Sequence, residues 1–289
     1  MSQDRRYSIA LGALGVLAVL ALMYASMNRR LALAQICPTG LVPSSHACCP
    51  PGQRWAGGGC VGQPTSCPVP LQLVSKPVPA CVLSNRPVSI SGGSLELSSQ
   101  DWDGQQVLPR KLQLKDFRID SAEVTSLRWG RCVTDGQCQP LTAPALGHVP
   151  PGQSVRGVSP EAAAQFCRFA GGRLPSDDEW IFAAAGSEGR KFPWGPSGLV
   201  CRRSAFGLEQ GPCRHHQDAP DLAGTHASGN TPEGVFDLSG NVAEWTTRAE
   251  GGYSARGGSF RSRVASQLKS WSGHSAREKA DDIGFRCVY

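Results

Sequence analysis

Residues capable of specific chemistry concentrate near the C-terminal end of this 289-residue chain, in three short motifs. They read GVFDLSGNVAEW (residues 234–245), RGGSF (256–260) and DIGFRC (282–287). Acids, glycines and aromatic residues alternate here at short spacings that match neither an amphipathic helix nor a strand. Carboxylates on irregular loops bind hard cations or cap backbone amides. This stretch is therefore where we expect a site.

Basic side chains surround the second motif. Arg256, Arg261, Arg263 and Lys269 lie in or just after it, and residues 248–286 contain eight Lys/Arg against four Asp/Glu. A basic rim of this kind favours an anionic or glycan-like ligand, whereas a solvated loop would need no ligand. The net charge of +6 is too small and too scattered to indicate a nucleic-acid partner.

Twelve cysteines without zinc-ribbon spacing predict disulfides and an oxidising compartment. Cys132 and Cys138 flank the turn VTDGQ, and Cys201 and Cys213 flank a glycine-containing loop, so local pairs are the simplest assignment. Residues 31–85 are too few to fold on an apolar core alone and are predicted to hold three disulfides. Fifteen pairings are open to the six cysteines of this segment, which are Cys37, Cys48, Cys49, Cys60, Cys67 and Cys81. The segment is either a stiff spacer or a small recognition module.

An uncharged run of 20 residues, from Ser8 to Met27, has the length that crosses a bilayer core of about 30 Å. Residues 1–30 are therefore predicted to be a membrane anchor, with everything from Cys37 onward in the periplasm or extracellular space. A signal peptide cleaved after the small-x-small sequence at residues 32–34 is the alternative.

The elements that must position the motifs begin at Pro87. The sequences VSISGGSLELSS and FRIDSAEVTSLRW alternate as strands do. Two helices follow: Ser159 is a predicted N-cap, and a capping box opens the second helix at Ser176. With 34 glycines, 22 prolines and few aromatic residues, the remainder is expected to be loop-rich. We predict an α+β domain over residues 86–289.

Six motifs in order resemble the sulfatase-modifying-factor family, whose formylglycine-generating-enzyme-like domains have a C-type-lectin-like fold. The three above are preceded by FRIDSAEVT (117–125), SPEAAAQFCRFAGGRLPSDDEW (159–180) and FPWG (192–195). The resemblance implies that fold, and a disulfide that joins Cys167 to Cys287. It also implies that the loop around GGSF lines a ligand cleft, to which we assign Arg256, Ser259, Arg261 and Arg263.

The copper site of the oxidase members is missing from this sequence. Ser262 stands where the first copper-binding cysteine is expected and Gln267 stands near the second, and no cysteine lies between Cys213 and Cys287. A serine hydroxyl is too hard a ligand for Cu(I). The six histidines include no pair spaced to bind iron from one helix face. The sequence therefore predicts a non-catalytic, membrane-anchored module that binds or assembles with a protein or glycan partner. A family enzyme with a different metal, or a purely structural spacer, is the alternative.

The resemblance also implies a structural Ca²⁺ in the first motif. Asp237 and Glu244 would supply side-chain oxygens, and Gly240 and Val242 would supply backbone carbonyls. A hard cation prefers such an oxygen set. The alternative is a tight turn in which the acids only cap backbone amides.

Overall fold

The computed structural model describes residues 18–24, 37, 39–44, 47–56, 59–75, 78–84, 86–97, 109–141, 149–196, 203–207 and 219–289. Of the predicted membrane span, only residues 18–24 fall in these ranges, and they form an exposed helix, α1. Within the described ranges, no helix has both the length and the apolar character needed to cross a membrane. The rest of the span and the predicted Cys201–Cys213 pair lie outside the described residues.

Three antiparallel hairpins form the cysteine-rich segment. They are β1 (Val42–Ser44) with β2 (Ala47–Cys49), β3 (Gln53–Ala56) with β4 (Gly59–Gly62), and β5 (Gln72–Val74) with β6 (Ala80–Val82). The prediction of three disulfides is confirmed, and neighbouring cysteines pair in order as Cys37–Cys48, Cys49–Cys60 and Cys67–Cys81. The bonded cysteines are 11 to 14 positions apart. Cys49 of β2 is bonded to Cys60 of β4, so this bond joins the first hairpin to the second.

The third hairpin packs directly on the larger domain. Leu71 and Cys81 are buried against Leu222, with Leu83 beside them. A Cβ atom on Gly152 would lie only 2.1 Å from the carbonyl oxygen of Cys81, so only glycine permits this approach. The cysteine-rich segment is therefore joined to the larger domain by side-chain packing as well as by the chain.

Three further helices belong to the larger domain: α2 (Ser126–Thr134), α3 (Pro160–Phe169) and α4 (Asp177–Ala185). The predicted caps of the last two are confirmed, because Ser159 Oγ accepts from the Ala162 amide and Ser176 forms a complete capping box with Glu179. The first was predicted as part of a strand. Thr125 caps it instead, and the strand FRID ends at Asp120.

The strands of this domain form two antiparallel pairs and one larger sheet. β7 (Pro87–Ile90) pairs with β10 (Phe117–Asp120), and β8 (Gly93–Leu97) pairs with β9 (Arg110–Leu114). The larger sheet has the order β13–β12–β11–β14, made of Gly273–Ala276, Tyr253–Arg256, Ala243–Thr247 and Ile283–Gly284. Only its β11–β14 pair is parallel. The predicted loop-rich α+β architecture is confirmed.

Large buried side chains, some of them in the C-terminal segment, form much of the core. Trp180 of α4 is fully buried in one apolar cluster. In the other cluster, Phe166 of α3 lies 5.4 Å from Phe285 between ring centroids. The disulfide Cys167–Cys287, which the resemblance implies, joins the same two segments, and Cys132–Cys138 ties the end of α2 to the following loop. The C-terminal residues thus cross the middle of the domain.

Candidate functional site

The GGSF segment turns sharply after β12 because two glycines follow Arg256. Gly257 has φ +87° and Gly258 has φ +68°, values that favour glycine. A Cβ atom on Gly258 would also lie 2.4 Å from the carbonyl oxygen of Gln267. The turn therefore brings residues 258–262 against residue 267.

The two residues at the expected copper positions are used to hold this turn together. Ser262 Oγ accepts a hydrogen bond from the Ser259 amide at 2.9 Å. Gln267 Oε1 accepts one from the Arg263 amide, also at 2.9 Å. Both side chains therefore satisfy backbone donors of the loop.

A cleft of about 390 Å³ opens beside the turn. It is lined by Ala243, Ala255, Gly258, Ser259, Arg261, Ser262, Gln267, Ser272, Gly273, His274 and Asp282. Small side chains form much of this lining, and the remaining side chains carry hydroxyl, amide, imidazole, guanidinium and carboxylate groups. This combination suits a polar ligand that makes several hydrogen bonds.

Two of the four residues assigned to the cleft from the sequence line it, and two do not. Ser259 and Arg261 are part of the lining, and Ser259 Oγ donates to Asp282 Oδ2 at 2.7 Å. Arg263 is exposed outside it. Arg256 does not line the cleft as the sequence predicts. It is buried behind the cleft, where Asp177 Oδ2 lies 2.5 Å from its Nη2 atom.

Sequence reasoning missed three polar residues of the cleft, which are Ser272, His274 and Asp282. Asp282 opens the DIGFRC motif, so its place in an ordered motif was the available indication. His274 lies on β13 in a stretch without a motif, and only the pairing of β13 with β12 brings it to the cleft.

Behind the cleft lies a buried network of charged residues centred on Glu244. Both carboxylate oxygens accept from Arg286, with distances of 2.7 Å from Nε to Oε2 and 2.7 Å from Nη2 to Oε1. Trp180 Nε1 donates to Oε2 at 2.8 Å. Glu244 and Arg286 are both 0% exposed. The guanidinium therefore neutralises Glu244 inside the protein, and sequence reasoning assigned no role to Arg286.

Two more carboxyl groups, those of Glu123 and Asp237, belong to this network. Glu123 Oε1 accepts from Asn241 Nδ2 at 3.0 Å, and Asp237 Oδ2 accepts from the Gly224 amide at 2.6 Å. Burial, with the charges of Asp237 and Glu244, raises the pKa of Glu123 well above its usual value. Burial also raises the pKa of Asp237, against the opposing effect of nearby His226.

The predicted calcium ligands can be compared with this geometry. Asp237 and Glu244 lie in one network, but Arg286 already bonds both oxygens of Glu244. Conversely, Asn241 Oδ1 is buried and accepts no hydrogen bond from the described residues, as an oxygen near a cation would. Across the described ranges, no group of three or more His, Cys, Asp or Glu side chains is arranged to hold a metal ion. Calcium at Asp237, Gly240, Val242 and Glu244 stays a prediction.

The histidines make no metal site in the described part of the chain. His226 is buried and lies 2.9 Å from Asp221 Oδ2 through its Nε2 atom. His274 is exposed at the cleft. The other four histidines lie outside the described residues.

Comparison with known proteins agrees with the fold and with the motifs. Residues 75–289 match the model of the sulfatase-modifying factor enzyme 1-like domain. The chain is 33% identical over 154 residues to inactive C-alpha-formylglycine-generating enzyme 2 of Mus musculus, a match that covers 45% of this chain and 47% of that protein. It is 36% identical over 101 residues to the formylglycine-generating enzyme of Mycobacterium tuberculosis, covering 32% of each. The chain thus spans less than half the length of these two relatives.

The structure of PvdO from Pseudomonas aeruginosa shares the fold, with a TM-score of 0.56 and 19% sequence identity. That likeness covers 78% of this chain and 99% of the other. The family match extends over most of the chain, from residue 75 to residue 289. The protein belongs to the sulfatase-modifying factor enzyme 1-like family.

Proposed function

We propose that this protein is a non-catalytic binding module of an extracytoplasmic compartment, in which the cleft beside GGSF holds part of a protein or glycan partner. The observation that carries the proposal is the hydrogen bond from the Ser259 amide to Ser262 Oγ at the first expected copper position. The Ser262 side chain thus stabilises the loop, and Gln267 does the same at the second expected copper position.

Two further observations support this proposal. The five disulfides present in the described residues favour an oxidising compartment, and no cysteine there is free to act as a copper thiolate. Among the relatives, two are formylglycine-generating enzyme 2 proteins whose names describe them as inactive. A cleft lies beside these two positions, so a surface for binding is present although the copper-binding cysteines are not.

The absence of oxidase chemistry is tested directly. We would incubate the purified protein with Cu(I), oxygen and a cysteine peptide of the sulfatase type, and measure the peptide mass. The expected result is no aldehyde and no stoichiometric copper. The matched control is the double variant Ser262→Cys/Gln267→Cys, which restores two thiols and is expected to bind Cu(I). Aldehyde formation by the unmodified protein, or stoichiometric copper or iron in it, would favour the enzyme alternative.

The use of the cleft is tested separately by photo-crosslinking. A photoreactive amino acid at His274, which lines the cleft, is compared with one at Glu161, an exposed residue of α3. We expect one crosslinked species from the first position and none from the second. Equal crosslinking at both positions, or at neither, would contradict binding through the cleft.

A further inference from the structure

Acidic residues are absent from a long stretch near the start of the chain. No aspartate or glutamate lies between Asp4 and Glu96, although the whole chain contains 23 of them. The basic residues of this stretch include Arg54 in the cysteine-rich segment and Arg86 directly after it, and both are exposed. A surface that carries cations and no anions attracts negatively charged partners. The cysteine-rich segment is therefore suited to an anionic partner.

Exposed apolar side chains are also concentrated in the cysteine-rich segment. Val42, Val69 and Leu73 are 40%, 85% and 47% exposed. Single exposed apolar residues are common on soluble domains and need no explanation. Outside α1, however, the described residues contain only three other exposed large apolar side chains, which are Val78, Phe169 and Val264. Most of these side chains thus belong to one short segment.

The chain segments that carry Val42, Val69 and Leu73 lie against each other. A Cβ atom on Gly40 would lie only 2.9 Å from the Cα atom of Pro68, so the turn before β1 contacts the turn before β5. Val42 begins β1, Val69 follows Pro68, and Leu73 lies on β5. We call Val42, Val69 and Leu73 the apolar tip of the segment.

The apolar tip is separate from the contact with the larger domain. That contact uses Leu71 and Cys81, which are buried against Leu222. Val78 lines a small cavity at the same junction, whereas the tip residues line neither this cavity nor the cleft. Two disulfides cross-link the first and third hairpins. The tip is therefore held at the surface and is not used by the rest of the described structure.

A lipid bilayer is the partner that the order of the chain brings near the apolar tip. The predicted membrane span ends at Met27, and the ten residues from there to Cys37 extend at most about 35 Å. The described part of that span, α1, is apolar and exposed. Durable membrane attachment combines apolar contact with basic residues, which anionic lipids attract. The tip and the arginines provide this combination.

We infer that the cysteine-rich segment docks on a bilayer containing anionic lipid, with the apolar tip among the headgroups and Arg54 and Arg86 against lipid phosphates. A protein interface would instead be expected to centre on aromatic or arginine anchors in fitted pockets, whereas the tip is entirely aliphatic. The inference goes beyond the proposed use of the cleft. It makes the segment a membrane contact that holds the larger domain near the bilayer.

The test places a photoreactive amino acid in the whole protein, reconstituted in vesicles of phosphatidylglycerol or of phosphatidylcholine. Leu73 is the tip position, and Val264, 53% exposed on the larger domain, is the matched control. We expect lipid adducts at Leu73 in phosphatidylglycerol and far fewer at Val264. Adducts at Leu73 should decrease in phosphatidylcholine and at high salt, because the arginines are solvent-exposed. Since both positions belong to the same molecule, their difference reports docking and not anchoring.

Variants assign the effect to the charges and to the tip. Arg54→Gln and Arg86→Gln should each lower the docking equilibrium about fivefold, which is the contribution of one basic residue near an anionic surface. Val69→Ser should also lower it, because it removes apolar contact at a site outside the core. The matched controls are Arg131→Gln, at an exposed arginine of α2, and Val264→Ser. An unchanged disulfide map verifies that each variant has folded.

Each contrary result has a defined meaning. Equal lipid adducts at Leu73 and Val264, or adducts at neither, would overturn the inference. Equal adducts in the two lipids, or equal effects of Arg54→Gln and Arg131→Gln, would do the same. Crosslinks from Leu73 to a protein in native membranes, in place of lipid, would replace the bilayer by a protein partner. Crosslinking at His274 is measured separately, so these results leave the proposed function of the cleft standing.

Discussion

Replacement of Arg286 by methionine should reveal how strongly the buried network depends on one guanidinium. The substitution removes two hydrogen bonds to Glu244 and those to the carbonyls of Asp120 and Phe236, at 3.1 and 2.8 Å. Among the described residues, Glu244 would retain only the indole of Trp180 as a donor. Removing one partner of a fully buried ion pair costs about 3–5 kcal/mol. That is a large part of the roughly 5–15 kcal/mol by which a native domain is stable.

The free energy of unfolding would be measured in urea, with disulfides intact and a chelator present so that calcium plays no part. Arg110→Met is the matched control, because Arg110 pairs with Asp178 at the surface, where the side chains are 38% and 36% exposed. Such a pair contributes about 0–1 kcal/mol. The double variant Arg286→Met/Glu244→Gln should be more stable than Arg286→Met alone, since it removes the unpaired charge. A loss for Arg286→Met no larger than that of the control would refute this reasoning.

Three other perturbations have defined outcomes. Burial raises the pKa of Glu123, so its stabilising contribution is present below about pH 4.3, where the free side chain is protonated, and is lost as pH rises through the folded pKa. Glu123→Gln should therefore flatten the decline in stability as pH rises above about 4.3, and an unchanged slope in urea titrations would contradict it. Replacing Cys167 and Cys287 by alanine opens a loop of 120 residues and should cost about 4–5 kcal/mol on the chain-entropy estimate. Non-reducing peptide mapping should recover this linked pair from the native protein, and a free thiol at either position would count against it. Chelation of calcium should lower the melting temperature, by the equivalent of about 2.7 kcal/mol if the ion is in hundredfold excess over its Kd. Asp237→Asn should weaken that response, whereas equal melting with chelator and with calcium would leave the turn-capping interpretation.

Features that depend on a few neighbouring residues could be predicted from the sequence. Ser159 and the capping box at Ser176 start helices because their side chains bond amides within the first turn. The start of α2 was missed because the alternation of FRIDSAEVTSLRW and the capping residue Thr125 give opposite indications, and the cap prevails. Local evidence fails where two local preferences compete.

Features that depend on distant partners could not be predicted in this way. Arg256 has the sequence position of a cleft residue, but Asp177, 79 positions earlier, holds it in the interior. Arg286 bonds Glu244 and the carbonyl of Asp120, at separations of 42 and 166 residues. No spacing rule specifies such contacts. Ser259 and Arg261 line the cleft because the glycine turn before them fixes the loop locally.

The path of the C-terminal residues has a consequence for when the domain can fold during synthesis. The amides of Asp120 and Val124 donate to the carbonyls of Cys287 and Phe285, and Val288 pairs with Arg173. These early segments therefore lack their partners until residues 283–289 have been made. Folding dominated by such distant contacts is slow, and Cys167 must wait as a free thiol that is open to wrong pairing. Completion of this domain is thus expected to wait for the synthesis of residues 283–289, and to depend on thiol–disulfide exchange that corrects early mispairing.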